Sequence, residues 1–426
     1  MWWGGRVRSP IPDYLTQVLD QCGTDRSGEL AAYIPELADA DPERFALALA
    51  TVDGTVYAVG DDEVEFSIQS ISKPFAYALA LARHGLDAVL AKVGVEPSGD
   101  AFNELSLEIG TGRPFNPMIN AGALTVHALI DDETVLRGFS AFAGRELEVD
   151  EAVFTSELET ADRNRAIAFM LRSHGIVEAD AQQVVEGYTR QCSVLVTVRD
   201  LALMAATLAN GGVQPVTGQR VVPDEVTRQV MAVMATCGMY DAAGDWFTSV
   251  GIPAKSGVAG GLIGALPGQA GLATFSPRLD RHGNSVRGVQ VFERLSRDMG
   301  MHLMEVPPPA RSLVRGRTEL PGGQPGHGWT YELQGSVNFV GMERVLRYLA
   351  DEPPTESTVV LDLTRVNEVR DIGRRMLLEA VRRLVLDGHA VTLIDPEGML
   401  EAFPDDHADG DLDVGDGVEV PVLRRR

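Results

Sequence analysis

The sequence of 426 residues has few cysteines, few lysines and no long apolar run. Its three cysteines, Cys22, Cys192 and Cys237, are odd in number and irregularly spaced, so no disulfide framework is expected. No stretch of about 18 apolar residues occurs, which argues against a membrane-spanning helix. The N-terminal residues also lack the apolar segment of a secretory signal. Together these absences predict a cytoplasmic protein.

Positive charge is also scarce. The chain has 37 basic and 61 acidic side chains, and the formal net charge of −24 disfavours nucleic acid or an anionic membrane as partner. The lysines are only Lys73, Lys92 and Lys255; every other basic residue is arginine. Because a buried lysine can lose its proton whereas arginine cannot, a retained lysine is a candidate base. Chance retention is the alternative, and Lys92, which lies in no motif, is expected at the surface.

Prolines and glycines concentrate at residues 305–328, which predicts a linker between domains spanning 1–304 and 329–426. In the first domain, Asp53-Gly54 between two apolar runs predicts a hairpin over 45–60. Glycine-rich strands are expected over 252–266 and 270–275. Helices are expected at about 76–85, 117–130, 162–174, 180–189, 198–210, 224–236 and 285–299. Strands at both ends with helices between them predict an α+β domain, in which an antiparallel sheet lies beside a helical cluster.

The second domain alternates strand and helix patterns, which is typical of a small α/β layer fold. The expected strands are 329–333, 358–363 and 390–394, and the expected helices are 339–349 and 372–386. An acidic tail over 404–417 is rich in Asp and Gly and is predicted to be partly disordered. The eight histidines show no metal-ligand spacing, and no phosphate-binding loop is present. We therefore expect neither a metal nor a cofactor.

Two of the lysines lie in motifs that carry chemistry. In Ser70-Ile71-Ser72-Lys73 the serine and lysine are one helical turn apart, so a neutral Lys73 could take the proton of the Ser70 hydroxyl. Lys255-Ser256-Gly257 supplies a second cation, which is expected to lower the pKa of Lys73. Ser-x-x-Lys together with Lys-Thr-Gly marks serine β-lactamases and penicillin-binding proteins, and serine replaces the threonine here.

Other polar residues are individually weak candidates. Asn120 could cap a helix, Glu157 and Asn164 could mark an exposed helix entrance, and the tyrosines could be ordinary half-buried aromatics. Taken singly, each of these residues fits a structural role better than a functional one. The tyrosines concerned are Tyr33, Tyr188 and Tyr240.

Taken together, these residues lie in motifs of a known family. From Tyr33 to about Met299 the chain resembles the serine-dependent glutaminases, which have a β-lactamase-like fold. The segments that carry the resemblance are Tyr33–Ala38, Ser67–Lys73, Glu96–Asp100, Asn116–Ala123, Cys237–Asp241, Pro253–Gly261, Ser276–Asp280 and Gly283–Ser285.

The resemblance implies a glutaminase that hydrolyses the side-chain amide of L-glutamine through a serine acyl-enzyme. It makes Ser70 the nucleophile and Lys73 the base, with Tyr240 as proton relay and Tyr33 closing over the substrate. Lys255 has a supporting role. The backbone N–H groups of Ser70 and Val258 would form the oxyanion hole. The residues implied to hold the amino-acid end of glutamine are Asn120, Glu157, Asn164 and Tyr188.

The C-terminal domain resembles the STAS (sulfate transporter and anti-sigma antagonist) domains. Leu333–Phe339, Val359–Val366 and Asp387–Leu393 carry this resemblance. Ile372 stands where phosphorylated members have their acceptor, which argues against a phosphorylation switch there. Such a domain implies a protein partner, although a role in docking or assembly alone fits equally well.

Two other functions remain open from the sequence. One is a penicillin-recognising serine hydrolase, although the Tyr-x-Asn element of that class is absent. The other is a catalytically silent signalling protein that acts through its STAS-like domain. The family resemblance also implies a homodimer or homotetramer.

Overall fold

Two units make up the chain, Met1–Glu305 and Val306–Arg426. The structure is a computed structural model that describes residues 9–98, 107–305, 313–319, 328–355, 357–400, 411–415 and 417–423. Each unit has its own hydrophobic core. Gly99 and Asp100 of the Glu96–Asp100 motif lie outside the described residues, as do residues 404–410 of the acidic tail.

The first unit contains helices of widely different length, together with short 3₁₀ turns at Gln69–Ile71 and Tyr240–Ala242. Its strands are β1 (Ala46–Thr51), β2 (Val56–Gly60), β3 (Phe66–Ser67), β4 (Leu195–Val196), β5 (Ala254–Ser256), β6 (Gly261–Leu266) and β7 (Ala270–Phe275). Its α-helices are α1 (Ile11–Cys22), α2 (Pro35–Ala38), α3 (Ser72–His84), α4 (Leu86–Leu90), α5 (Asn120–His127), α6 (Asp132–Ala143), α7 (Glu151–Glu159), α8 (Asp162–Ser173), α9 (Ala181–Cys192), α10 (Val198–Ala209), α11 (Asp224–Cys237), α12 (Ala243–Ser249) and α13 (Val286–Met299).

The main sheet of this unit has the strand order β2-β1-β7-β6-β5, with antiparallel pairing throughout. Strands β1, β6 and β7 are almost entirely buried because α10 covers one face and α1 and α13 pack on the sheet as well. The prediction of an α+β domain with an antiparallel sheet built from distant segments is confirmed. The 45–60 hairpin turns at Asp53-Gly54 as expected.

Some helices differ from the prediction. The helix expected over 117–130 is limited to α5, because residues 116–119 form a loop held by the side chain of Asn116. Helices α6 and α7 were not predicted, although each directly follows an aspartate, Asp131 or Asp150, whose carboxylate caps the helix.

The described residues of the second unit form a mixed sheet and two helices. The elements are β8 (Val314–Glu319), β9 (Trp329–Val337), α14 (Phe339–Asp351), β10 (Thr358–Val369), α15 (Asp371–Leu386), β11 (Ala390–Ile394), β12 (Asp411–Asp413) and β13 (Glu419–Leu423). Strands β9, β10, β11 and β13 run parallel, whereas the edge strands β8 and β12 pair antiparallel with their neighbours, in the order β12-β13-β11-β10-β9-β8.

The edges of this sheet depart from the prediction. Strand β8 lies inside the segment 305–328 that was expected to be a linker, and β12 lies inside the tail that was expected to be partly disordered. Strand β8 is polar and mostly exposed, and β12 has a single buried apolar residue, Leu412, between two aspartates, so hydrophobic periodicity could not reveal either strand. Within the described part of the chain, no helix is long and apolar enough to cross a membrane.

Candidate active site

Ser70 and Lys73 lie where the Gln69–Ile71 turn runs into helix α3. Both are buried, with 8% and 1% of their surface exposed. The Nζ atom of Lys73 donates to the carbonyl oxygen of Met118 at 3.0 Å and to Oδ1 of Asn120 at 2.8 Å. Burial lowers the pKa of Lys73 to about 8. A substantial fraction of this side chain is therefore neutral near physiological pH and able to accept a proton.

A loop before α5 places the partners of Lys73. Oδ1 of Asn116 accepts from the backbone N–H groups of Met118 and Ile119, and its Nδ2 donates to a carbonyl oxygen. The sequence allowed Asn120 to be a helix cap, but it is the first residue of α5 and its side chain does not cap the helix. Its amide forms hydrogen bonds with other side chains instead. Its Oδ1 accepts from Lys73 while its Nδ2 donates to Oδ1 of Asn164 at 3.0 Å.

Lys255 and Tyr240 lie on the other side of Ser70. The Lys255 Nζ atom is 3.9 Å from the centroid of the Tyr240 ring and donates to the carbonyl oxygen of Ser256 at 2.9 Å. The Tyr240 hydroxyl donates to the same carbonyl oxygen at 3.2 Å. Burial raises the pKa of Tyr240, and hydrogen bonds with Ser256 and Ser70 oppose this rise.

The expected effect of Lys255 on Lys73 is not found. Burial first, and then the charge of Lys73, lower the pKa of Lys255 well below its usual value, whereas burial lowers that of Lys73. Both lysines are buried, but the neighbouring charge of Lys73 adds to burial only at Lys255, so Lys255 is the group whose proton is held least. The Lys-Ser-Gly motif therefore does not provide the second cation that the sequence suggested.

Close backbone packing fixes Tyr240 in place. A Cβ atom at Gly238 would lie 1.9 Å from the carbonyl oxygen of Ala254, so only glycine lets the end of α11 approach β5. Tyr240 follows two residues later with a positive φ of 56°. On the neighbouring strand, the Ser256 hydroxyl donates to Oδ1 of Asn284 at 2.6 Å, which holds the carbonyl shared by Tyr240 and Lys255.

Glu157 accepts hydrogen bonds from two side chains of the site. Its Oε1 accepts from the Tyr33 hydroxyl at 2.8 Å and from Nε2 of Gln69 at 2.9 Å. Burial raises the pKa of Glu157, and these two hydrogen bonds oppose the rise. Tyr33 remains 48% exposed and sits at the rim, while burial of its hydroxyl and the Glu157 charge raise the pKa of Tyr33.

One cavity of about 370 Å³ brings most of the predicted residues together. Lys73 and Lys255 are buried beside it, and Tyr240 lines a second cavity of about 470 Å³. The predicted residues that line the first cavity are Tyr33, Ser70, Asn120, Glu157, Asn164, Tyr188 and Val258.

Sequence reasoning missed six residues that line this cavity: Gln69, Thr160, Ala161, Arg163, Thr189 and Cys192. Gln69 directly precedes the candidate nucleophile, has a positive φ of 50° and orients Glu157. Cys192 lies one helical turn after Tyr188 on α9, and burial raises the pKa of its thiol to about 11. Gln69 could have been predicted as a cavity residue only because it is next to Ser70. Cys192 could have been predicted from its i, i+4 spacing from Tyr188, which places both side chains on one face of the helix.

Lys92 is paired with Glu178 at 3.3 Å, away from the cavity, as expected for a surface lysine. Among the residues that the structure describes, no group of three or more metal-ligating side chains comes together.

Comparison with known proteins gives a consistent result. The glutaminase family model matches residues 28–304. A glutaminase of Corynebacterium efficiens is 52% identical over 423 residues, which covers 97% of this chain and 97% of that protein. A glutaminase of Corynebacterium glutamicum is 50% identical and covers 92% of this chain and 96% of its own length.

Solved structures agree with this result. The crystal structure of Mglu matches with a TM-score of 0.84 and 50% identity, covering 92% of this chain and 99% of that one. A Bacillus glutaminase matches with a TM-score of 0.62 and 35% identity, covering 68% of this chain and 99% of its own. These relatives make the chain an amidohydrolase. The chain belongs to the glutaminase family.

Proposed function

We propose that the protein hydrolyses L-glutamine to L-glutamate and ammonia through an ester on Ser70. The single observation that supports this most is the cavity that gathers Ser70 with a carboxylate, two asparagine amides and two tyrosine hydroxyls. A free amino acid has an ammonium group, which a carboxylate can bind, and a carboxylate, which amide and hydroxyl groups can bind as hydrogen-bond donors. The related Mglu has been solved in a glutamate form, which is the expected product.

The far end of the cavity would hold the amino-acid end of glutamine. Glu157 is the natural partner of the substrate ammonium, and Gln69 and Tyr33 keep its carboxylate oriented. Asn164 and Tyr188 would donate to the substrate carboxylate. The side-chain amide would then lie at Ser70, because Ser70 and Glu157 line the same cavity.

The chemistry would proceed in two stages. The neutral amine of Lys73 takes the hydroxyl proton as the Ser70 oxygen attacks the amide carbon. The oxyanion that forms is stabilised by the backbone N–H groups of Ser70 and Val258. Return of a proton to the amide nitrogen, with Tyr240 as relay, releases ammonia and leaves a γ-glutamyl ester. Water then attacks that ester, its proton returns to Ser70, and glutamate leaves.

An ammonia-release assay with glutamine, asparagine and a chromogenic β-lactam side by side tests this function. We expect turnover of glutamine, and we expect Ser70→Ala to abolish it while the circular-dichroism spectrum stays unchanged. Near-normal activity of Ser70→Ala would refute the role of Ser70 as nucleophile. Hydrolysis of the β-lactam alone would point to a penicillin-recognising enzyme. Release of no ammonia would favour a silent signalling protein.

We also propose a cytoplasmic, homo-oligomeric enzyme in which the second unit acts as a STAS-like docking domain. Three buried free thiols fit a reducing compartment. The family resemblance supports a dimer or tetramer, which light scattering after gel filtration would distinguish from a monomer. The alternating strands and helices of the second unit support the STAS-like assignment. Affinity capture with that unit alone would reveal a specific protein partner if it has one.

A further inference from the structure

A turn over residues 280–284, between β7 and α13, lies next to Tyr240 but outside the two cavities of the site. It overlaps Gly283–Ser285, which carries part of the resemblance to the glutaminases. Asn284 is buried in this otherwise half-exposed turn. A buried side-chain amide needs hydrogen-bond partners inside the protein, so its contacts show what the turn holds in place.

Hydrogen bonds within the turn fix the position of Asn284. Oδ1 of Asp280 accepts from the backbone N–H groups of His282 at 2.8 Å and Asn284 at 3.0 Å. The backbone N–H of Asp280 donates to the carbonyl oxygen of Asn284 at 2.8 Å. Ser285, the next residue, caps α13 through its hydroxyl. The turn is therefore closed on itself and anchored on a helix, which leaves Asn284 little freedom to move.

The turn also packs directly against Tyr240 and its neighbour. Gly283 has a positive φ of 82°, and a Cβ atom there would lie 3.9 Å from Cε2 of Tyr240, so the backbone of the turn lies beside the ring. Nδ1 of His282 lies 3.1 Å from Oδ1 of Asp241. Tyr240 has a positive φ of its own, which needs support from its surroundings, and this turn provides part of that support.

Asn284 is connected to the Tyr240 hydroxyl through Ser256. Oδ1 of Asn284 accepts from the Ser256 hydroxyl at 2.6 Å, and both side chains are buried. The carbonyl oxygen of Ser256 accepts from the Tyr240 hydroxyl at 3.2 Å and from Nζ of Lys255 at 2.9 Å. The Tyr240 hydroxyl is also hydrogen-bonded to Ser70. A shift of Ser256 would therefore move the Tyr240 hydroxyl relative to the nucleophile.

We propose that Asn284 is a positioning residue that, through the Ser256 hydroxyl, holds the Tyr240 hydroxyl beside the nucleophile. The proposal rests on the proposed function, in which Tyr240 relays the proton to the leaving nitrogen. The amide nitrogen must gain this proton to leave as ammonia, so the rate depends on where the hydroxyl lies. Neither Asn284 nor Ser256 lines the cavity that would hold the amino-acid end, so binding there should not depend on them.

The first test removes the hydrogen bond between Asn284 and Ser256 from either side. Asn284→Ala removes the acceptor and Ser256→Ala removes the donor, so a folding defect of one variant does not decide the result. Each should lower kcat for glutamine about tenfold, because a misplacement of about 1 Å can cost up to about a hundredfold. The inhibition constant of L-glutamate should stay within about threefold. A wild-type kcat in either variant, or an inhibition constant that rises as much as kcat falls, would overturn the proposal.

A double-mutant cycle shows whether the two residues act together. If Asn284 acts through the Ser256 hydroxyl, the double variant should lose about tenfold in kcat, as each single variant does. Independent effects would multiply to about a hundredfold and would refute the coupling. Asn210→Ala is the matched control, because Asn210 donates to the backbone carbonyl of Val213 and lines neither cavity. It should keep the wild-type kcat, and a tenfold fall there would contradict a specific role of Asn284.

The second test does not depend on activity. In the full chain labelled with ¹³C in the tyrosine rings, the NMR signal of Tyr240 is assigned from Tyr240→Phe. This signal should move in both Asn284→Ala and Ser256→Ala, while that of Tyr33, at the other end of the site, should stay in place. A Tyr240 signal that does not move in either variant would overturn the proposal. Failure of the wild-type chain to release ammonia would instead refute the proposed function, so the two failures are distinguishable.

Discussion

Replacing Lys73 with methionine should abolish glutamine hydrolysis and yet stabilise the first unit at neutral pH. Burial lowers the pKa of Lys73 from 10.5 to about 8. Each pKa unit corresponds to about 1.4 kcal/mol, so the charged lysine costs the folded state about 3 kcal/mol. Methionine has a similar length and carries no charge, so it removes this cost.

The sign of the pH dependence follows from proton binding. With its pKa lowered on folding, Lys73 binds fewer protons in the folded than in the unfolded protein, so its contribution to stability rises with pH between about 8 and 10.5. Below this window the full cost of about 3 kcal/mol remains, and above it both states are neutral and the cost disappears. At about pH 9.5 roughly half of the cost should be left.

The gain from methionine is partly offset. Lys73 donates to the carbonyl oxygen of Met118 and to Oδ1 of Asn120, and the variant leaves both acceptors without this donor. Each such loss costs about 1 kcal/mol. We therefore expect Lys73→Met to be more stable than wild type by about 1 kcal/mol near pH 7, and less stable by about 0.5 kcal/mol near pH 9.5.

Urea unfolding of both chains at these two pH values measures the difference directly. Because the lost hydrogen bonds do not depend on pH to first order, the change of about 1.5 kcal/mol between the two measurements isolates the charge of Lys73. Lys92→Met, at a lysine that is 29% exposed in its side chain, controls for the loss of a lysine as such. A stability difference between Lys73→Met and wild type that stays the same at both pH values would refute the reasoning.

Two further predictions concern the substrate end and the second unit. Glu157→Gln removes the charge that would pair with the substrate ammonium, so steady-state kinetics should give a KM raised about tenfold or more with a smaller change in kcat. Glu159→Gln, on the exposed side of the same helix, should behave as wild type, and an unchanged KM for Glu157→Gln would contradict its assigned role. A chain ending at Glu305 should release ammonia at a rate within about twofold of that of the full chain. The Bacillus glutaminase aligns over 99% of its own length with only 68% of this chain, so a glutaminase can be shorter than this protein. Insolubility of the shortened chain would indicate that the second unit is structural.

The main elements of both units could be predicted because their sequence patterns are local. Asp53-Gly54 between apolar runs specifies the hairpin of β1 and β2, and alternating apolar runs and amphipathic stretches specify the α/β part of the second unit. Strand β8 could not be found in this way, since it is a charged edge strand that depends on pairing with β9. Register and edge pairing are properties of the folded sheet.

The candidate site was predictable in its chemistry and less so in its electrostatics. The Ser-x-x-Lys spacing identified Ser70 and Lys73, and the structure brings most of the other expected residues into one cavity. The motif at Lys255 suggested a second cation, but this lysine is fully buried and its pKa falls far below its usual value. Burial depends on the whole fold, so a motif cannot reveal which of two neighbouring lysines keeps its charge.

Backbone strain concentrates around Ser70. Within the described residues, Gln69 and Tyr240 are the only non-glycine residues with positive φ. Gln69 directly precedes Ser70 and binds Glu157, while Tyr240 is hydrogen-bonded to Ser70 from the other side. Such a conformation costs on the order of 1 kcal/mol or more and persists only where the surrounding structure enforces it. Here the buried amide of Gln69 and the Lys255 amine that packs over the Tyr240 ring provide that enforcement, so the strained residues keep Ser70 between the two ends of the site.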